Sequence, residues 1–263
     1  MLRGFYTAAS GMIAQQRKTD MLSNNLSNAN TAGYKADQSA MRTFPKMLLS
    51  YMNKNGTTGE VEHSVGSLAT GVYMQETVPL FIQGGLEQTN TNTDLSIVDD
   101  ANAEGHLFFP VKSSDGTVKY TRNGNFSVSG DGYLTTASGN AVLDRNGNPI
   151  QVNGSDFLVS PAGDITENGR YVATIGLGYA QNPGQLEKSG DGLYSLQNNA
   201  QLPDGYNQNG FQIKQGFLEA SNVDETKTMT DMMSAYRTFE ANQKVLQAYD
   251  ASLGKAVNDV GKV

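Results

Sequence analysis

Apolar residues recur every three or four positions along the last forty residues of the chain, and no other stretch keeps that period for so long. Stepping from Met229, the positions are Met229, Met232, Tyr236, Phe239, Gln243, Leu246, Asp250, Leu253, Val257 and Val260. All but Gln243 and Asp250 are apolar, which is the spacing of a coiled-coil seam. The pattern predicts a helix starting near Val223, with Asn222 as N-cap and Glu225 three residues on, a reciprocal arrangement that satisfies otherwise orphaned backbone donors. At 1.5 Å per residue such a helix is about 57 Å long. Most helical stability in proteins comes from packing an amphipathic face, so this stretch requires a partner.

A weaker helical pattern occupies the opposite end, with Leu2, Phe5, Ala9 and Met12, then Leu22 and Leu26. It closes at SNNLSNANTAGYK, where Asn and Ser compete for the backbone and Gly33 is free to take a positive φ. The two ends are expected to pair, with Phe5, Met12, Leu22 and Leu26 facing the C-terminal seam. Gln243 and Asp250 either fix its register or face a solvated groove.

Between Gly71 and Gly216 the period changes to two, in short runs such as HLFFPV, TVKYT, YLTT, DFLVS and RYVATIGL. Asn-Gly and Asp-Gly pairs at Asp115, Asn123, Asp131, Asn146, Asn153, Asn168, Asp191, Asp204 and Asn209 punctuate these strands with hairpin-turn chemistry. Ahead of them, Asp37 to Met52 is apolar but broken by Pro45, open to a short helix or an extended strand. Asn53 to Thr70 is polar, a loop or a long projecting hairpin. The expected fold class is α+β: N- and C-terminal helices paired as an antiparallel coiled coil, with an inserted antiparallel β-domain rich in tight hairpins. The expected divisions are a terminal helical domain (1–34 plus 222–263), a connecting segment with the long hairpin (35–80) and the β-domain (81–221).

Composition narrows the function. A net charge of −7 leaves no electrostatic footprint for nucleic acid or an anionic membrane. With no Cys, disulfides, thiolate metal sites and thiol nucleophiles are excluded. His63 and His106 carry no ligand spacing, and no apolar run is long enough to span a bilayer. The N-terminal stretch reads as helix rather than signal peptide. Gly176-Leu177-Gly178 lacks the third glycine of a dinucleotide loop, and Asn182-Pro183-Gly184 breaks any helix behind it. Asp144, Asn146 and Asn148 imitate a calcium loop, but Pro149 replaces the turn glycine and Ser155 the bidentate glutamate. Asp99 and Asp100, as neighbours, point to opposite faces of a strand and make a poor acid and base pair. No enzyme, cofactor, metal site or small-molecule substrate is expected.

The string YTAASGMIAQQRKTDMLSNNLSNANTAGYK resembles the N-terminal signature of the bacterial flagellar rod and hook family, with Asn24, Asn25, Asn28, Asn30, Thr31 and Gly33 in its SNNLxNxNTxGxK segment. QGFLEASNVDETKTMTDMMSAYRTFEANQKVLQAYDASL resembles its C-terminal signature, with Ser221, Asn222 and Val223 in QGxLExSNV. LFIQGGLEQTNTNTDLSI and YTRNGNFSVSGDGYLTTASGNAV are similar to the opening of the family's β-domain, so the resemblance covers nearly the whole chain. LSIVDDANAEGHLFF departs from it where a tight hairpin is usual, which bears on that hairpin's shape. Asn53 to Val78 resembles the long hairpin of distal-rod subunits, and the whole is most like the distal-rod proteins of Bacillus-like bacteria.

The resemblance implies an axial subunit of the basal body, outside the cytoplasmic membrane and without a cleaved signal peptide, exported through the flagellar export apparatus. Its terminal helices would order on contact with copies of itself and neighbouring rod and hook proteins, with no membrane insertion. The seam residues Met229, Met232, Tyr236, Phe239, Leu246, Leu253, Val257 and Val260, with Phe5, Met12, Leu22 and Leu26, are then the expected subunit interface. A hook-type subunit, or a secreted β-rich adhesin or carbohydrate-binding module, are the alternatives.

Overall fold

The computed structural model describes residues 2–45, 47–52, 62–99, 105–207 and 210–260. The protein is α+β, with a helix at each end and a β-rich middle. It forms two compact units. Unit 1 comprises Met1–Leu26, Asp37–Val78 and Asp224–Val263, and unit 2 comprises Ser27–Ala36 and Pro79–Val223.

Unit 1 holds the two helices, α1 (Leu2–Ser27) and α2 (Glu225–Val260). The cap of α2 is Asp224 rather than the expected Asn222. The Asp224 carboxylate accepts from the Lys227 N–H at 2.9 Å, and a carboxylate here also meets the positive end of the helix dipole. Unit 1 also contains a two-stranded antiparallel ribbon. Met41–Thr43 pairs with Val72–Met74, and Met47–Met52 pairs with Glu62–Leu68 in the same register, until a bulge between Leu49 and Ser50 shifts it by one. The segment after Asp37 is therefore extended rather than helical, and the following polar stretch returns as a hairpin. The tip, residues 53–61, lies outside the described residues. Pro45 sits between the two ladder segments, where its missing N–H costs no cross-strand bond.

Unit 2 is built on the strand His106–Lys112, whose near-continuous apolar run is buried on both faces. It pairs antiparallel with Val118–Thr121 on one side and with Ala141–Val142 and Gly178–Ala180 on the other. Phe126–Val128 and Leu134–Thr136 extend the sheet beyond Ala141–Val142, and Leu193–Ser195 and Glu187–Lys188 extend it beyond Val118–Thr121. Adjacent strand residues face opposite ways, so Phe109 enters the main core, edge-on to Phe126 at 5.2 Å, while Phe108 enters a second core with Phe81, Tyr120 and Tyr194. A three-stranded meander, Phe157–Val159, Asp164–Glu167 and Arg170–Thr174, adds Phe157 and Ile165 to the main core. Leu95–Asp99 pairs with Phe211–Gln215, and Leu86–Gln88 with Phe217–Glu219, so distant stretches of sequence close unit 2 together.

The turn chemistry is realised unevenly. Asn168 and Gly169, both at positive φ (50° and 74°), make the tight turn between Glu167 and Arg170. Asn123-Gly124 is no hairpin turn: Gly124 lies flat against the Leu95 carbonyl with no room for a Cβ. Asp204-Gly205 leads into a short 3-10 turn, and Asn209 lies outside the described residues. The departure from the family pattern at Asp100–Glu104 also lies outside them. Gly176 to Gly178 runs directly into the strand Gly178–Ala180, and Asn182 caps only one turn of 3-10 helix, which leaves no helix N-terminus for a phosphate.

Candidate assembly interface

The shielded line along α2 differs from the expected seam in half of its positions. Met232, Phe239, Leu246 and Leu253 are partly covered, and they alternate with Thr228, Ala235, Asn242, Tyr249 and Ala256. Met229, Tyr236 and Val257 are exposed, Val257 at 70%. Val260 closes the helix. Gln243 and Asp250 are exposed too, and the polar residues at shielded positions include Thr228, Asp231 and Asn242 instead.

The physical reason lies in α1, which presents small residues. Gly4 leaves space filled by the Tyr249 ring, and a Cβ on Gly11 would come within 2.9 Å of the Asn242 amide. Ala8 and Leu22 continue that face as buried residues. Phe5, Met12 and Leu26 are half-buried. A tyrosine and an asparagine therefore occupy positions where a hydrophobicity pattern looks for Leu or Val.

Large apolar side chains remain uncovered on unit 1. On the outer side of α1 these are Tyr6 (65% exposed) and Ile13, and on one flank of α2 Met229, Met233 (57%) and Tyr236 (57%). On the ribbon, Phe44 and Tyr73 stack on each other with centroids 5.5 Å apart, both still partly exposed.

The signature residues hold backbone together inside each unit. In unit 1, Asn25 clamps the Asp37 backbone: its Nδ2 donates to the Asp37 carbonyl and its Oδ1 accepts from the Asp37 N–H, both at 2.8 Å. In unit 2, Asn28 and Thr31 form the turn after α1, and the Thr31 N–H donates to the Asn28 carbonyl at 3.1 Å. Asn24 and Asn30 are exposed. Asn222 bridges two stretches, accepting from the Ala36 N–H and donating to the Leu80 carbonyl, each at 2.7 Å. The Ser221 hydroxyl accepts from the Val223 N–H at 3.3 Å.

Gly33 stands at φ +68°, donates its N–H to the Glu219 carbonyl at 2.7 Å, and has the Arg122–Asn123 peptide at 2.5 Å from where a Cβ would sit. Only glycine fits both conditions.

Beneath Gly33 lies a buried ionic cluster. Glu219 takes the Lys35 ammonium on one oxygen at 2.5 Å and the Arg122 Nε on the other at 2.9 Å, and the Gly84 N–H donates to it at 3.0 Å. The Arg122 Nη1 donates to Asp99 at 3.0 Å and to the Leu107 carbonyl at 2.6 Å. His106 Nδ1 lies 3.1 Å from Asp99 at the rim. Burial pushes Lys35 below the usual lysine range, against the pull of Glu219. Burial acts against Arg122 as well, but the Glu219 and Asp99 carboxylates outweigh it and hold the guanidinium above its ordinary value. Burial would raise Asp99, yet the His106 hydrogen bond and Arg122 hold it below the usual carboxylate range. With two cations and two carboxylates the four innermost groups balance, which makes their burial tolerable.

The flagella basal body rod protein family matches residues 5–35, the D1 domain of flagellar hook proteins FlgE/F/G matches residues 103–169, and the C-terminal family of basal body rod FlgEFG proteins matches residues 214–259. The chain is 46% identical to the flagellar hook-basal body complex protein FlhO of Bacillus subtilis over the full length of both. The chain belongs to the flagellar rod and hook-basal body family. The basal-body rod proteins FlgG of Borreliella burgdorferi and of Bacillus subtilis are 32% and 30% identical, each match covering 98% of this chain and 98% and 99% of the relative.

As a family member it is a structural axial subunit of the rod and hook type, located in the flagellar basal body. The three matched stretches of this rod-family chain each supply a member of the buried cluster: Lys35 ends the first, Arg122 lies in the second and Glu219 in the third. Reading the sequence by pattern misses all three, because nothing in spacing separates them from the other charged residues. Their position inside the signature strings is the signal that was available.

Among the described residues no group of three or more His, Cys, Asp or Glu could hold a metal ion, and no helix is long and apolar enough to cross a membrane.

Proposed function

We propose that this chain polymerises through unit 1 as an axial subunit of the distal rod, transmitting motor torque to hook and filament. The observation that carries this is the set of large apolar side chains left exposed on both terminal helices of unit 1, Tyr6 and Ile13 on α1 and Met229, Met233 and Tyr236 on α2. In this reading the helices form an antiparallel coiled coil, supported by Gly4 against Tyr249 and Gly11 against Asn242, positions that rise along α1 as they fall along α2.

Copies of the chain and neighbouring rod and hook proteins cover what one chain leaves open, with Met229, Tyr236 and Val257 reaching outward. The remaining interface residues named from the sequence, Phe5, Met12, Leu22, Leu26, Met232, Phe239, Leu246, Leu253 and Val260, support the helix pair or its contacts with other copies. The functional divisions are the terminal helices (1–34 with 222–263), the ribbon segment (35–80), which fills space between subunits, and the β-domain (81–221). The chain leaves the cytoplasm through the flagellar export apparatus. It has no enzymatic role, no cofactor and no small-molecule substrate, and it engages neither nucleic acid nor the membrane interior.

Deletion with complementation tests this. Loss of swimming with an arrested basal body, restored by the wild-type gene but not by Phe239→Asp or Leu246→Asp, is the expected outcome. Unchanged swimming with altered surface attachment would refute it and favour an adhesin.

A further inference from the structure

Resting on the reading of unit 1 as the polymerising part, we propose that the outer face of α1 in one copy packs on the exposed flank of α2 in the next, Ile13 against Met229 and Tyr6 against Tyr236. The starting point is the register inside one chain. Gly4 faces Tyr249 and Gly11 faces Asn242, so Ile13 stands level with Glu240, and Tyr236 level with Arg17. The two exposed apolar patches therefore sit toward opposite ends of the helix pair, and neither covers the other within a chain.

They do match between chains. Tyr6 and Ile13 are two helical turns apart, as are Met229 and Tyr236. Setting Ile13 against Met229 in antiparallel sense brings Tyr6 to Tyr236, and it also brings the exposed Arg17 to the exposed Glu225, opposite charges at the edge of the apolar contact. Beside the α2 patch runs an open groove of about 410 Å³ lined by Thr230, Met233, Ser234, Arg237, Thr238 and Ala241. Its residues follow the spacing of the four-residue holes that accept a side chain from a neighbouring helix, and Tyr6 is the ring that arrives at this level.

In the proposed contact Gly11 of one copy stands level with Asp231 of the next instead of Asn242, a stagger of eleven residues or about 16 Å. The contact uses different surfaces on the two copies, so it propagates into an open array rather than closing as a two-fold pair.

The chain has no cysteine, which makes the register directly testable. Full-length protein carrying Ile13→Cys and Met229→Cys is expressed in place of the wild type, basal bodies are isolated, and the sample is oxidised. A ladder of covalent multimers is expected, since a disulfide needs Cα atoms within about 7 Å. Ile13→Cys with Glu240→Cys, which tests the level found inside one chain, should give no multimers. Basal bodies that contain the protein but give multimers from the second pair, or from neither, overturn the register and leave the polymer reading standing. Absence of the protein from basal bodies with swimming unaffected is the failure of the polymer reading itself.

Should the cysteine variants not assemble, charge exchange probes the same contact. Arg17→Glu should lose swimming and the added Glu225→Lys should recover it. Failure to recover, with both proteins stable in the cell, overturns the contact.

Discussion

Removing the Glu219 carboxylate should unfold unit 2 before it affects anything else. Glu219 is the only carboxylate among the described residues that touches both Lys35 and Arg122, and all three side chains are 2% exposed or less. Glu219→Ala leaves two neighbouring cations buried, one with its ammonium keeping only the Ile82 carbonyl and the other keeping Asp99 and the Leu107 carbonyl. It also strips the Gly84 N–H of its acceptor. Breaking one buried ion pair typically costs about 3–5 kcal/mol, and here two are broken through a single group. At about 2–4 °C per kcal/mol for a domain of 150–250 residues, the midpoint should fall by roughly 6–20 °C.

The assay is thermal unfolding followed by near-ultraviolet circular dichroism, where Phe and Tyr packed in the unit 2 cores report. Glu219→Gln should fall between wild type and Ala, because it keeps one acceptor oxygen for one of the two cations while its amide nitrogen, a donor, faces the other. Lys35→Met combined with Glu219→Leu should regain part of the loss, since an apolar replacement of a buried pair is often tolerated. A fall of less than about 1 kcal/mol in Glu219→Ala would refute the reasoning, because a group worth that little matches an exposed ion pair rather than a buried one.

Four further outcomes follow. Asp99 is held below the usual carboxylate range, so its contribution is fully present above its unfolded pKa of about 3.9 and is lost as pH falls through the lower folded value. Acid unfolding of Asp99→Asn should start from lower stability and show a shallower dependence below that pH. Gly33→Ala forces a residue with a Cβ to φ +68° against the Arg122–Asn123 peptide, and should cost at least about 1–3 kcal/mol in urea unfolding. Asp224→Ala removes the α2 cap and should cost about 1 kcal/mol, while Asn222→Ala should leave the start of α2 unchanged in hydrogen exchange. Gly11→Leu should abolish swimming while leaving the unfolding midpoint of unit 2 at its wild-type value, because the space it fills is that of Asn242.

The sequence pattern revealed α1 and α2 to within a few residues and the strand-rich middle in outline, because long periodic runs report burial directly. It misplaced the cap, since both Asn222 and Asp224 are good capping residues and only the Asn222 contacts to Ala36 and Leu80 decide between them. It drew the seam through Met229, Tyr236 and Val257, which outscore Thr228, Ala235 and Asn242 on hydrophobicity, whereas the second set is the more shielded within one chain. What selects the second set is the shape of α1, where Gly4, Ala8 and Gly11 form a narrow surface at heptad spacing. Small residues at that spacing were readable, but their meaning depends on which helix they meet.

The buried cluster was illegible for a different reason. Charged residues are normally solvated, and a sequence offers no local sign that Lys35, 184 positions before Glu219, will share a dry site with it. Yet this cluster gives a physical reason for signature strings at both ends of the chain. Gly33 and Lys35 must arrive together with Glu219 and Arg122, since any subset leaves a charge or a donor buried without its partner. Unit 2 therefore closes only when the stretches just after α1 and just before α2 are both in place. The apolar faces of the helices carry no such obligation to be satisfied within one chain, and so they are free to be satisfied by another.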